Sequence, residues 1–142
     1  MVQRYRNIYQ IARESKGITQ EKASELMDIS VDSLRAYEGG KRIPPDKVVI
    51  KMGELYRNKF LYYQHFKITP LGEKYLHNIE IKTLAETVLT FLDECEDLER
   101  IRKIIIKIAK DNEIDEKEKA DWEKIKKEIK DVIIAGMSLI FM

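Results

Sequence analysis

The chain has 142 residues, enough to bury a core or to divide into two smaller ones. Only six glycines and three prolines accompany 36% charged residues, the apolar residues recur at helical spacing and strand-like alternation is nearly absent, so the expected fold is all-α. The net charge of +1 hides an uneven split. Residues 1–67 carry 13 Lys/Arg against 8 Asp/Glu, a net of +5, and residues 68–142 carry 13 against 17, a net of −4. A basic head followed by an acidic tail is expected to contact two different kinds of partner.

Tyr5, Ile8, Tyr9 and Ala12 recur at i, i+3, i+4 and i+7 and give a first helix one apolar face. Gly17 is placed to end it in a left-handed backbone. Thr19 suits the N-cap of a second helix, with Glu21 favoured in its first turn by the helix dipole. That helix is short and ends near Asp28; Ile29 fills a turn and Ser30 caps a third helix carrying Val31 to Glu38. Gly39 and Gly40 stop the third helix.

Pro44 and Pro45 hold the backbone extended, and Asp46 is expected to cap a fourth helix that buries Val48, Val49, Met52 and Leu55. Asn58 suggests a break. Phe60, Leu61, Tyr63 and Phe66 follow as an aromatic and aliphatic cluster whose spacing fits a buried helix face better than a base-stacking platform. Periodicity is lost over 67–82, where Pro70, Gly72 and Asn78 read as a connector. Thr83 then caps a long amphipathic segment in which Leu84, Val88, Phe91, Cys95, Leu98, Ile101, Ile105 and Ile108 step by three or four.

Residues 110–115 interrupt the pattern. A second long helix carries Ala120, Trp122, Ile125, Ile129, Val132, Ile133, Gly136 and Ile140 on its apolar side. Two long helices and a short link imply an antiparallel hairpin over 83–142. Ile104-Ile105-Ile106 and the final VIIAGMSLIFM leave apolar surface after the two helices pair. By the area rule each exposed isoleucine forgoes roughly 1.5–3 kcal/mol of burial. The expected remedy is a homodimer through residues 83–142, or a protein partner.

Thr19-Gln20-Glu21, Ser30, Tyr37-Glu38, Gly40-Lys41-Arg42 and Pro44 occur in order with their intervening lengths intact. On these motifs residues 5–56 resemble the helix-turn-helix domain of the phage repressor and Cro family, also called the XRE family. The resemblance implies a repressor-like helix-turn-helix bundle over residues 1–66 that binds double-stranded DNA, joined through the 67–82 connector to the helical hairpin. It implies a transcriptional regulator, a repressor; with the apolar surplus of the hairpin the expected form is a dimer, and the residues give an enzyme nothing to build on. A protein-interaction module with a weak DNA-binding head is the alternative.

Physical reasons accompany the positions. Gln20 opens the second helix, where its amide and the free backbone amides can face one phosphate, as the family uses this glutamine. The exposed start of the third helix presents Val31, Asp32, Ser33, Arg35 and Ala36 to base edges. Lys41 and Arg42, in a glycine-hinged loop, are expected at the DNA backbone. Arg35 is the candidate for a guanine and Asp32 can accept from cytosine N4. Arg13 and Glu38 match the positions of a structural ion pair in the family. Asp28 and Val31 depart from the family, which commonly has a turn glycine and a glutamine there; Asp28 tolerates the left-handed backbone better than most residues.

Other chemistry finds little support in the residues. His65 and His77 lie apart from any ligand cluster, and Asp111, Glu113 and Asp115 lack the glycine and register of a calcium loop, so no metal and no cofactor are expected. No nucleophile–base arrangement and no phosphate-cradling loop is present, so no catalytic residue is assigned. Cys95, the only cysteine, excludes an internal disulfide and fits a reducing cytoplasm. The N-terminus has no signal-peptide core, and the eleven apolar-rich residues from Val132 to Met142 are too few to span a bilayer.

Overall fold

The computed structural model describes residues 7–110 and 112–142; Tyr5 and Asp111, used above, lie outside the described residues. Among the described residues the secondary structure is helical, without strands. The chain divides between Leu76 and His77 into two compact units.

The first unit holds α1 (Ile8–Ser15), α2 (Gln20–Met27), α3 (Val31–Glu38), α4 (Asp46–Tyr56), α5 (Phe60–Lys67) and α6 (Pro70–Tyr75). Its helix ends follow local chemistry. The Asn7 side chain accepts from Gln10 N at 3.1 Å to cap α1, and its amide donates to Tyr37 O at the end of α3. Thr19, Ser30 and Thr69 accept from the third residue beyond them at the starts of α2, α3 and α6. Gly17 leaves α1 at φ +65 and Asp28 leaves α2 at φ +54, both left-handed. Lys51 Nζ donates to Met27 O at 2.7 Å, so a cation on α4 satisfies a carbonyl in the last turn of α2.

Tyr9, Ala12, Ala23, Met27, Leu34, Tyr37, Val48, Val49, Met52, Tyr56 and Leu61 form one core contributed by α1 to α5. Three expectations need correction here. Asp46 is the first residue of α4 rather than its cap, because the extended Pro45 precedes the helix and the Asp46 carboxylate turns to His65 at 3.1 Å. The cluster on α5 is only partly core: Leu61 and Tyr63 are buried, whereas Phe66 is exposed and Phe60, half-buried, stacks on Tyr63. Residues 70–75, read as connector, form α6. Proline stands at its first turn, where the missing N–H costs nothing. Gly72 lies against the Phe66 carbonyl so closely that any β-carbon would collide with it, which lets α6 fold back onto the end of α5.

The second unit holds α7 (Leu84–Arg100), α8 (Arg102–Ile108) and α9 (Lys119–Ile140). A capping box opens α7: Thr83 Oγ1 accepts from Glu86 N while the Glu86 carboxylate accepts from Thr83 N. α7 and α8 both pack on α9, giving the expected hairpin, but the first arm is not continuous. It breaks at Ile101, with φ −95 and ψ 4, where Ile101, Ile108 and Ile125 gather into a small core. Leu98, Ile104, Ile105 and Trp122 pack around it.

Farther along the hairpin the apolar seam reads differently from its periodicity. Thr87, Ala135 and Ser138 are buried, whereas Leu84, Ile133 and Ile140 are exposed. Repeating isoleucines mark a helical stripe but do not say which side of it meets the other helix. Among the described residues no helix is long and apolar enough to cross a membrane.

Candidate nucleic-acid interface

α3 is fixed from beneath by packing and from its C-terminal end by charge. Leu34 is fully buried and Tyr37 nearly so, and both pack in the core with Ala23 and Met27 of α2. At its end, Glu38 receives Arg13 Nε at 2.6 Å and Arg13 Nη2 at 2.9 Å, a bidentate pair that is almost wholly buried. Arg13 Nη1 also donates to Ile18 O at 2.6 Å, so α1, the α1–α2 link and α3 share one guanidinium. The Glu38 hydrogen bond, foremost, raises the Arg13 pKa above its ordinary value, against the opposing effect of burial. Arg13 and Glu38, named from the family resemblance, are thus brought together.

Gln20 is drawn into the same network. Its Nε2 donates to Glu38 Oε2 at 2.7 Å, because a carboxylate already inside the fold offers a charge-assisted acceptor. The amide expected to face a phosphate is therefore turned inward, while the backbone N–H groups of Gln20 and Glu21, ahead of the Lys22 amide that Thr19 caps, have no intrahelical partner. Tyr56 lies in the core near this pair. Among the described residues its buried hydroxyl has no hydrogen-bond partner, and burial, followed by the Glu38 charge, pushes its pKa up to about 12.

The outer face of α3 begins with Val31 and Asp32. Asp32 and Arg35 are exposed, and Val31, Ser33 and Ala36 are half-buried. Ser30 Oγ accepts from Ser33 N and donates to Ser33 Oγ, so the Ser33 hydroxyl is held against the cap. Arg35 Nη2 lies 3.1 Å from Glu21 on α2, and Nη1 lies 3.3 Å from Asp32 one turn earlier on α3. Past the helix, Gly40 at φ +72 reverses the chain, and the backbone N–H groups of Lys41 and Arg42 both reach Ala36 O. Lys41 and Arg42 are exposed. Arg42 bends back to donate to Ser33 Oγ at 3.1 Å, with its guanidinium 5.2 Å from the centre of the Tyr37 ring.

Gln20, the start of α3 and the Lys41-Arg42 loop thus belong to one module, and its charges are organised. Two cations, Arg35 and Arg42, rest on partners of their own fold. Glu21, by its position a dipole-favoured first-turn acid, also pairs with Arg35, a contact that crosses between helices and that no periodicity reports.

Two further polar groupings also escaped the sequence reading. His65 is buried, with Tyr9 Oη 2.8 Å from Nδ1 and Asp46 Oδ1 3.1 Å from Nε2. A carboxylate can only accept, so in neutral His65 the Nε2–H donates to Asp46 and Nδ1 accepts from Tyr9. Burial pushes the Tyr9 phenol up to about 12, which keeps it a donor. This histidine links α1, α4 and α5. In the second unit, carboxylate oxygens of Glu94, Glu128 and Asp131 lie within 4.8 Å of one another. Lys127 Nζ, 2.8 Å from Asp131, offsets part of their repulsion.

Two short capped helices, a tight left-handed turn between them and an exposed polar face on the second define a helix-turn-helix module of the kind that presents one helix to the major groove. Residues 10–62 match the family model described as Helix-turn-helix. This segment is a helix-turn-helix domain of the XRE type, and a domain of that type supports a DNA-binding transcription regulator. Searches of the curated proteins and of the solved structures each found no match.

Proposed function

We propose that the protein is a sequence-specific transcriptional repressor that binds an operator with two-fold symmetry as a homodimer. In this reading Val31, Asp32, Ser33, Arg35 and Ala36 face base edges. The backbone N–H of Gln20, whose side chain is held by Glu38, meets a phosphate on one side, and Lys41 and Arg42 meet the DNA backbone on the other. Residues 83–142 join the two copies. The observation that carries the DNA reading is the anchoring of α3. Its inner residues are buried and its end is locked by the Arg13–Glu38 pair, so its polar outer face is a rigid probe.

The dimer reading rests on exposed apolar side chains in the second unit. Leu89 and Leu92 are three apart on α7, Ile129 and Ile133 four apart on α9, and all four are exposed. Apolar stripes of this kind are covered in stable proteins, and a second copy covers them with the symmetry a palindromic operator needs.

The test begins with selection from a double-stranded library with a randomised 20-base-pair core. Anisotropy across a salt series follows, and then a reporter with the selected site overlapping its promoter. Tight binding that weakens steeply with salt, and a silenced reporter, are expected. Absence of binding at low salt sinks the DNA reading.

The same stripes also suit a different protein as partner. Alanine at Gln20, Arg35 and Arg42 separates the two: a repressor loses its silencing, whereas an interaction module keeps its phenotype.

A further inference from the structure

Arg35 is the strongest base-reading cation on α3, and it is held by two acids. Glu21 Oε1 on α2 lies 3.1 Å from Nη2 and Asp32 Oδ1 on α3 lies 3.3 Å from Nη1. Three formal charges on these residues sum to −1 at the centre of a face whose flank, Lys41 and Arg42, is positive. All three side chains are more than half exposed, so the contacts contribute little to folding stability. A net-negative centre on a DNA-facing surface works against affinity. It therefore calls for a functional account.

We propose that Glu21 is a positioning residue that, with Asp32, aims Arg35 at a guanine edge and withholds it from the phosphates. The proposal rests on the DNA reading above and adds a specificity-determining residue to it. An unrestrained arginine takes the nearest phosphate and adds affinity without sequence information. Here that move has a penalty, because it strands two carboxylates against a polyanion.

A guanine edge imposes no such loss. Each terminal nitrogen of Arg35 engages one carboxylate and keeps a second N–H, so O6 and N7 can be met while the acid contacts persist. Asp32 meanwhile accepts from an exocyclic amine and repels the acceptor edges of thymine and guanine opposite it. Discrimination then comes from making the wrong complex worse.

The experiment uses the full chain, Glu21→Gln, and Glu25→Gln as a charge-matched control. Glu25 lies on the same helix and pairs with Lys22 at 3.0 Å. Two probes are compared, the duplex selected by the wild-type protein and an unselected 20-base-pair duplex of the same length.

Glu21→Gln is expected to bind the unselected duplex about 3–10-fold tighter, with a log–log salt slope steeper by about 1 as Arg35 gains a phosphate. The preference for the selected duplex falls by a similar factor. Glu25→Gln keeps the wild-type preference. In the free protein, the Arg35 Nε–Hε resonance shifts in Glu21→Gln and stays in place in Glu25→Gln.

Equal effects of the two variants, or an unchanged preference in Glu21→Gln, overturn the proposal while leaving the DNA reading intact. A wild-type protein that binds neither duplex at low salt overturns both.

Discussion

Arg13 and Glu38, 25 residues apart in sequence, close both oxygens of one carboxylate onto one guanidinium at 2.6 and 2.9 Å inside the first unit. The pair fastens the end of α3 to α1, and Gln20 completes it from α2. Glu38→Gln removes the charge that Arg13 was buried against. Stranding one member of a buried pair costs about 3–5 kcal/mol, and urea unfolding followed by circular dichroism should show a loss of that order. The double variant Arg13→Met with Glu38→Leu should lose clearly less, since it leaves no stranded charge. A Glu38→Gln loss below about 1 kcal/mol would mean the pair is screened rather than buried.

The caps make a second, graded prediction. Thr19 and Ser30 each accept a first-turn amide at the starts of α2 and α3. Alanine at either should cost about 1 kcal/mol. Asp28 lies between them at φ +54 with its backbone in the left-handed region. Asp28→Gly should therefore stabilise the domain by up to about 1 kcal/mol, since left-handed backbone is costly for a residue with a β-carbon. Thermal melts of the three variants should order as Asp28→Gly above wild type and both cap variants below it.

What could be read from the chain, and what could not, follows the range of the interactions. Thr19, Gly17, Asp28 and Ser30 act within a few residues of themselves, so the helix-turn-helix boundaries are legible in the sequence. α6 also carries a local signal, Thr69 followed by Pro70, but a proline and a glycine two residues apart are equally the punctuation of a connector. The Tyr9–His65 contact spans 56 residues and Arg35–Glu21 spans 14, and neither leaves a periodic trace. In the hairpin, regular spacing identified two helices. It could not show that Thr87, Glu94, Asp131 and Ser138 line the inner side while Ile133 faces out.

Glu94 carries the pH prediction for the second unit. Its pKa is raised above the ordinary carboxylate value, first by burial and then by the charges of Asp131, Asp97 and Glu128, with Lys127 opposing. A carboxyl raised on folding binds its proton more tightly in the folded state. Stability from this group is therefore greatest below its unfolded pKa and is lost as pH rises through the folded pKa. Glu94→Gln should raise the melting temperature of the hairpin at pH 7, by an amount equivalent to less than about 1 kcal/mol given its partial exposure. The gain should shrink toward zero below the carboxylate range. Trp122 packs beside the Ile101–Ile125 core and is the only tryptophan, so its fluorescence reports this unit. A variant whose advantage grows on acidification would contradict the sign.

The exposed isoleucines and leucines of the hairpin make the assembly prediction. Leu92 and Ile133 are each more than half exposed on helices that otherwise alternate charge with apolar residues. Burying a side chain of this size in a second copy contributes roughly 1.5–3 kcal/mol, and glutamate there both loses that burial and adds repulsion. Leu92→Glu combined with Ile133→Glu should weaken dimerisation by about a hundredfold or more, read by sedimentation equilibrium. The helices themselves should persist, because both positions already face solvent within one copy and the Ile101–Ile108–Ile125 core is untouched. If DNA is bound by two copies at once, the same variant should lose affinity for a two-fold operator while keeping the affinity of a single half-site. A wild-type chain that sediments as a monomer at micromolar concentration would remove the dimer from the mechanism, and the stripe would then have to be covered by a different protein.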